Sequence, residues 1–505
     1  MAADLLDVFE RWRATKPRHR AHTWLDKDGH DKDSYTLQEL WTEAGAVAAA
    51  IRGVEVAILC YPPGLEFLVA FYGCLFAGVA AAPCYPPDPR NREARTARHF
   101  ETIIEASGAQ VILTTAAYLR GKLLLVAKAP SHRTDIYLGA KWLATDSISC
   151  EGVPPLKPPP SLAFLQYTSG STSAPKGVMV GRRNLAHNLQ VITEALDSNE
   201  DTVCVSWLPQ YHDMGLVGSL LGTLYCGGTG FHSSPLAFVR DPTSWLRDMT
   251  AKKATHTQAP SFAYGLAARK YLSSPNIVKV DLSTLKHATN GAEPIRAADV
   301  DTFAAAFERC GLRPRVVVVT YGLAEHVVFV CRSLAPKRCE FVSECLARDV
   351  VLPGKGTVLF GCGRSPGVAL AIVREGRRVN GVGEVWVRSA SRALGYWRDP
   401  QRSAETFGGV LEGDDTVSVA ADGAVAREGW LRTGDLGFLD EAGDLFVCAG
   451  AASRVCLMAS NAFYAQAAGP RTYLLSEART TTPKIWRRRG RPRLVQPSGP
   501  AAPLL

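Results

Sequence analysis

Residues 167–177 read YTSGSTSAPKG, and the fold turns on what this run is for. Five of the eleven are serine or threonine (Thr168, Ser169, Ser171, Thr172 and Ser173), two are glycines, and Lys176 is the one cation. Glycine lets the main chain approach a ligand closely. Successive backbone N–H groups in such a loop form a concave seat for phosphate oxygens. The hydroxyls add donors and the lysine a mobile positive charge. A solvated loop rich in serine and threonine has the same composition, so two readings stay open at this point. The P-loop pattern G-x-x-x-x-G-K-[ST] cannot be laid over GSTSAPKG.

The flanks favour the anion seat. SLAFLQYTSG (161–170) reads as a buried strand running into the loop, and a helix is expected from about Arg182. Strand, glycine-bearing loop and helix in that order mark the place where an α/β sheet binds ligands. The same ending recurs in DTVCVSWLP (201–209), ATHTQAP (254–260), LKHATNGAE (285–293), RVVVVTYGLAE (315–325) and GEVWVRS (383–389). Further upstream, Leu37, Leu40, Trp41, Ala44, Val47 and Ile51 predict a helix over 36–52. VEVAILC (54–60) and AQVILTT (109–115) predict strands, with a helix from about Leu65 between them. The alternation predicts an α/β fold with mainly parallel sheets flanked by helices. GVPPLKPPPS (152–161) is expected to deliver the chain to the strand before the loop.

Composition narrows the class. The chain has 505 residues, 47% hydrophobic and 21% charged, which is ordinary for a globular protein of two or three domains. Its thirteen cysteines include no C-x-x-C pair, which suggests reduced thiols and a cytoplasmic setting. MAADLLDVFERW (1–12) lacks the apolar core of a secretory signal. The apolar run FLVAFYGCLFAGVAAA (67–82) is shorter than the roughly 20 residues of a membrane span, and reads as a buried helix. Of the net charge of +9, residues 471–505 supply +7, from eight Arg or Lys and one Glu. The basic character therefore belongs to a tail and predicts no specific nucleic-acid face.

Three motifs occur in order: YTSGSTSAPKG, YGLAEH (321–326) and GWLRTGDLGFL (429–439). Together they resemble the acyl-adenylate-forming, AMP-binding superfamily. ILCYPPGLEFLVAFYGCLFAGVAAAPCYPPDPR (58–90), SWLPQYHDMGLVGSLL (206–221), SPLAFVRDPTSWL (234–246), APSFAYGLAARK (259–270) and NGAEPIR (290–296) are similar to its fatty acyl-AMP ligase branch. The resemblance runs from about residue 8 to 447, and residues 331–363 stand where that branch carries an insertion.

This resemblance implies a large adenylating domain (1–448) with a small β subdomain, and a reaction in which ATP activates a fatty acid as acyl-AMP with release of pyrophosphate. It implies ATP and Mg²⁺ as cofactors, and an acyl carrier protein or polyketide synthase as acceptor. Thr168, Ser169, Gly170, Ser171, Thr172 and Lys176 are then the seat for the β- and γ-phosphates. Glu325 resembles the family's magnesium ligand, and a carboxylate shared with phosphate oxygens suits that ion. Tyr321, with Gly322 beside it, would stack on adenine. Gly291, Ala292 and Glu293 would line the same ring, and Asp435 would accept from the ribose hydroxyls. Lys176, Glu325 and His212, the last bordering the acyl carboxylate, are the catalytic candidates. Trp207, Met214, Leu216, Val217, Leu220 and Phe262 are candidates for an acyl tunnel. Each has a plainer alternative as a core, turn or surface residue.

One departure from the family matters. A small C-terminal domain is expected to swing a lysine to the reaction centre. GAASRVCLMASNAFYAQ (450–466) does not match its Arg-x-Lys-Asp hinge, and Lys484 in ARTTTPKIWRRR only faintly resembles its lysine. Residues 449–505 therefore read as a remnant of that domain with a basic tail. Two alternatives to a fatty acyl-AMP ligase remain: a long-chain acyl-CoA synthetase, or an impaired module that binds acyl-adenylate.

Overall fold

Val56–Cys60, Ala80–Cys84 and Val111–Thr114 are apolar on both faces, the pattern of strands covered by helices on either side. In the computed structural model they form the middle of a six-stranded sheet. Its order is Lys141–Ala144, Val111–Thr114, Val56–Cys60, Ala80–Cys84, Leu162–Thr168, Lys176–Gly181. Every pairing in it is parallel except the last, where the two strands form an antiparallel hairpin. The structure describes residues 2–88, 95–126, 141–149, 162–168, 175–274, 279–414, 417–419, 425–427 and 429–450. The expectations placed on 152–161, on Ser169, Gly170, Ser171 and Thr172, on Lys484 and on everything after residue 450 lie outside these.

A second sheet of eight strands uses the ends of the chain's first half and its middle. Its order is Cys331–Ser333, Val317–Tyr321, His287–Gly291, His256–Pro260, Val203–Ser206, Thr229–His232, His22–Leu25, Asp31–Tyr35. Only its two edge pairings are antiparallel. A third sheet is wholly antiparallel, in the order Arg377–Arg378, Ala369–Arg374, Gly383–Arg388, Leu431–Leu439, Leu445–Gly450. This is the small β subdomain. Within 331–363, Arg338–Phe341 and Thr357–Phe360 pair with each other and lean on it through Phe341, Phe438 and Phe446.

The helix expected over 36–52 spans Leu37–Ala50, started by a reciprocal cap between Thr36 and Glu39. It packs on the helix Glu66–Ala77, where Gly73 is required: a Cβ there would lie 2.7 Å from Cβ of Val47. Phe9, Trp41, Tyr72 and Phe76 close the contact with ring centroids 4.6–6.2 Å apart. Phe9, Tyr72 and Phe76 are fully buried, and each such ring contributes about 1.5–3 kcal/mol.

Two expectations are corrected. The run 67–82 is not one helix. It ends at Ala77, Gly78 takes the left-handed conformation at φ 71°, and the chain re-enters the sheet as Ala80–Cys84. A continuous apolar run has no period to separate helix from strand, and only the glycine marks the break. The second correction concerns the hydroxyl-rich loop. A helix does begin at Arg182, but the strand Lys176–Gly181 precedes it, so the loop connects two antiparallel strands and not a strand and a helix. Among the described residues no helix is long and apolar enough to cross a membrane.

Candidate active site

Lys176 opens the second arm of the hairpin, opposite Thr168. Its neighbours Gly177 and Met179 are bonded to a short segment far along the chain. Met179 N donates to Gly395 O (2.8 Å), Leu394 N to Met179 O (2.9 Å) and Trp397 N to Gly177 O (2.8 Å). Residues 394–397 thus lie along the hairpin as an added edge. Tyr396, on that edge, puts its ring 5.0 Å from Lys176 Nζ, within range of a cation–π contact.

The same tyrosine reaches the second motif. Its hydroxyl donates to Glu325 Oε1 at 2.8 Å, and Ala393 N donates to Glu325 O at 2.9 Å. Glu325 sits half-buried in a single turn, Ala324–His326, just beyond the strand Val317–Tyr321. The turn is tightly fixed. His326 is fully buried between Phe329 O (2.7 Å) and Ser389 Oγ (2.6 Å), and burial lowers its pKa to about 4. Val327 follows at φ 68°, an uncommon conformation for a β-branched residue, held with no exposed surface. Gly322 leaves no room for a side chain, because a Cβ would fall 1.7 Å from Val328 O. Burial, then the Glu325 charge, hold the Tyr396 hydroxyl well above its ordinary pKa, so it remains a donor.

A second cluster lies at the ends of neighbouring parallel strands. Tyr321 donates to Asp435 Oδ2 at 2.8 Å, joining the eight-stranded sheet to the antiparallel one, and both residues are buried. Next to Tyr321, Gly291 ends its strand 2.4 Å, at a would-be Cβ, from Thr320 Oγ1. Ala292 takes φ 65°. Glu293 turns inward: its Oε1 accepts from Phe262 N (2.7 Å), and burial raises its pKa. In return Ser261 Oγ accepts from Arg296 N at 3.0 Å. The 291–296 segment is thereby bolted to the first turn of the helix Ser261–Ser273, whose N-cap Pro260 provides no side-chain cap.

His212 is placed differently. Its side chain is 41% exposed and 2.8 Å from Asp213. Desolvation opposes charging the ring, but the Asp213 carboxylate outweighs it and raises the pKa. Among the described residues no hydrogen bond or ion pair ties His212 to Lys176, Glu325 or Asp435. Its neighbour Tyr211 is held instead, accepting at its carbonyl from Gln166 Nε2 (3.0 Å) on the strand before the loop. Of the tunnel candidates, Trp207, Met214, Leu216, Val217 and Leu220 are buried and Phe262 is half-buried. Trp207 lies flat on Phe238 with centroids 3.9 Å apart.

The residue that sequence reasoning missed is Tyr396. Its only signal is the segment ALGYWRDP (393–400), a glycine-bearing turn before a helix, which carries no recognisable chemistry by itself. Among the described residues the site offers the Lys176 cation, the half-buried Glu325 carboxylate and the buried Tyr321–Asp435 pair. Among the described residues no group of three His, Cys, Asp or Glu could hold a metal ion. A lone carboxylate with one oxygen occupied fits a Mg²⁺ that arrives with phosphate oxygens and water.

Comparison with known proteins places this geometry. The family model for AMP-binding enzymes matches residues 9–397. The chain is 34% identical over 467 residues to a medium-chain-fatty-acid–[acyl-carrier-protein] ligase of Moorena producens, covering 88% of this chain and 76% of that one. It is 32% identical over 467 residues to a long-chain-fatty-acid–AMP ligase of Mycolicibacterium smegmatis, covering 87% and 72%. The structure of a fatty acyl-adenylate ligase from L. pneumophila, in complex with acyl adenylate and pyrophosphate, superposes with a TM-score of 0.79. The two are 30% identical, over 91% of this chain and 79% of that one.

Proposed function

The chain belongs to the AMP-binding enzymes, in their fatty acyl-AMP ligase branch, and from that premise we propose how its own residues work. It is a ligase that activates a fatty acid with ATP. A carboxylate oxygen of the acid bonds to the α-phosphorus of ATP, the bond from that phosphorus to the α,β-bridging oxygen breaks, and pyrophosphate leaves. The acyl group of the resulting acyl-AMP then passes to the phosphopantetheine thiol of a carrier protein or polyketide synthase, with AMP as the leaving group.

Two anions meet in the first step, so charge must be neutralised without blocking the line of attack. Lys176 and the loop Thr168, Ser169, Gly170, Ser171 and Thr172 take the β- and γ-phosphates. Glu325 would hold the Mg²⁺, which when bound would neutralise phosphate charge. Tyr321 and Gly322, with Gly291, Ala292 and Glu293, line the adenine, and Glu293 does so by anchoring the segment rather than by touching the base. Asp435 takes the ribose hydroxyls, aimed by the hydrogen bond from Tyr321. His212 borders the acyl carboxylate. Residues 1–448 form the adenylating domain. The reduced thiols of the described cysteines support a cytoplasmic setting.

The observation that carries this is the convergence of Lys176 and Glu325 on one tyrosine, beside the Tyr321–Asp435 pair. The test is a magnesium-dependent assay with labelled ATP and C8 to C18 fatty acids, with Lys176→Ala and Glu325→Ala as controls. Acyl-AMP made by the native chain and lost in both variants is the expected result. ATP binding without acyl-AMP would make the chain a binding module. Acyl-CoA formed on adding coenzyme A, in preference to an acylated carrier protein, would reassign the acceptor.

A further inference from the structure

Lys176 and Glu325 bring opposite charges into one site, yet among the described residues no ion pair joins them. Tyr396 touches both. Its ring lies 5.0 Å from the lysine Nζ, and its hydroxyl donates to Glu325 Oε1 at 2.8 Å. We propose that Tyr396 is a positioning residue that holds these two charges apart, keeping the ammonium available to nucleotide phosphate and the second carboxylate oxygen available to a divalent cation. This rests on the nucleotide reading above.

Without a spacer the two side chains would neutralise one another, because opposite charges in a partly desolvated cleft attract more strongly than in water. A Lys–Glu pair would then have to be broken each time nucleotide bound. A tyrosine suits the task because its two ends differ. The ring face attracts a cation without offering it an anion, and the phenol offers the carboxylate a proton donor without bringing a positive charge.

The side chain is also held where a spacer must be. Tyr396 is 4% exposed, its ring meets Phe407 edge-on at 5.2 Å, and its N–H donates to Ser403 Oγ at 2.8 Å. Gly395 before it sits at φ 145°, where a Cβ would approach Ser403 Oγ to 2.9 Å. The chain on either side is bonded to Gly177 and Met179 of the lysine's own strand, and Ala393 N to the Glu325 carbonyl. One short segment thus fixes the tyrosine relative to both charged residues. Hydrogen-bond partners of a metal-ligating carboxylate set its orientation in the same way.

The test uses the full chain as wild type, Tyr396→Phe, Tyr396→Leu and the double variant Tyr396→Leu/Glu325→Gln. Mn²⁺ binding to the ATP complex is read from the free-ion electron paramagnetic resonance signal, ATP binding in EDTA by calorimetry, and the thermal midpoint checks folding. Tyr396→Phe keeps the ring and loses the hydroxyl, so Mn²⁺ affinity should fall about ten- to a hundredfold. Its metal-free ATP affinity should match the wild type. Tyr396→Leu loses both contacts and frees Glu325 to capture Lys176, so metal-free ATP affinity should also fall, by about two- to fivefold. The double variant should restore it, because a neutral amide cannot hold the lysine. Restoration is the result a merely structural role would not give. Wild-type Mn²⁺ affinity in Tyr396→Phe, or a double variant as weak as Tyr396→Leu, overturns the proposal. A wild type that binds neither ATP nor Mn²⁺ with ATP overturns the nucleotide reading itself, a separate outcome.

Discussion

The two sides of the site are built on different principles. Tyr321 and Gly291–Glu293 stand at the carboxyl ends of adjacent parallel strands, where the ladder sets their spacing before any side chain is chosen. Lys176 stands on an antiparallel hairpin at a sheet edge, and its position depends on residues 394–397 laid alongside. The first side is a property of the sheet and the second of a contact between distant parts of the chain. Ligand crevices at strand ends can therefore be read from local motifs, whereas the cation that completes them needs the packing of another segment.

The largest expected effect is on the hairpin side. Lys176→Ala should slow acyl-AMP formation about a hundred- to a thousandfold, the usual cost of removing one group that stabilises developing charge. Folding should be unaffected, since the side chain is only half-buried. Activity within about threefold of wild type would end the division of labour drawn here.

His326 couples the two sides, because it fastens the Glu325 turn to Ser389 at the start of the segment leading to Tyr396. Its pKa is lowered from 6.5 to about 4 by burial, so the folded state binds fewer protons than the unfolded chain below pH 6.5. Its contribution is intact above pH 6.5 and is lost as pH falls toward 4, by about 3 kcal/mol in all. Urea denaturation at pH 7.5, 5.5 and 4.5 should show this slope in the wild type and a shallower one in His326→Asn. Equal slopes would remove His326 as the link.

On the strand-end side the effects are smaller because more contacts share the load. Tyr321→Phe removes the hydrogen bond from the phenol to the buried Asp435 carboxylate and should cost about 1–3 kcal/mol in urea denaturation. ATP affinity should fall with it. Glu293→Ala strips the acceptor from Phe262 N and should cost about 1 kcal/mol, as loss of a helix cap does. Glu293→Gln, which keeps a carbonyl oxygen there, should retain most of that stability. A larger loss of ATP affinity in Glu293→Gln than in Glu293→Ala would instead put the carboxylate in contact with the nucleotide.

Much of this was legible in the sequence. The strands ending at Cys60 and Thr114 were marked by apolar runs, those ending at Ser206, Pro260, Gly291 and Tyr321 by the loops that follow them, and the structure has them within a few residues. Gly322 is fixed locally, since a side chain would strike the Val328 carbonyl, whereas Gly291 is fixed by Thr320 on the neighbouring strand. The hairpin strand Lys176–Gly181 was not legible, because KGVMVG before a helix looks like the helix's approach. Nor was the break at Gly78, inside an unbroken apolar run.

What the sequence determined by itself is therefore the layered α/β class, the strand ends that carry Tyr321, Gly291 and Glu325, and the family resemblance its motifs carry. These depend on periodicity and turn chemistry, which act over a few residues. Tertiary structure alone decided that Tyr396 stands between Lys176 and Glu325, that Asp435 meets Tyr321, and that Glu293 caps a neighbouring helix. Those pairings join segments far apart in the chain, and no local pattern encodes a partner that only packing brings near.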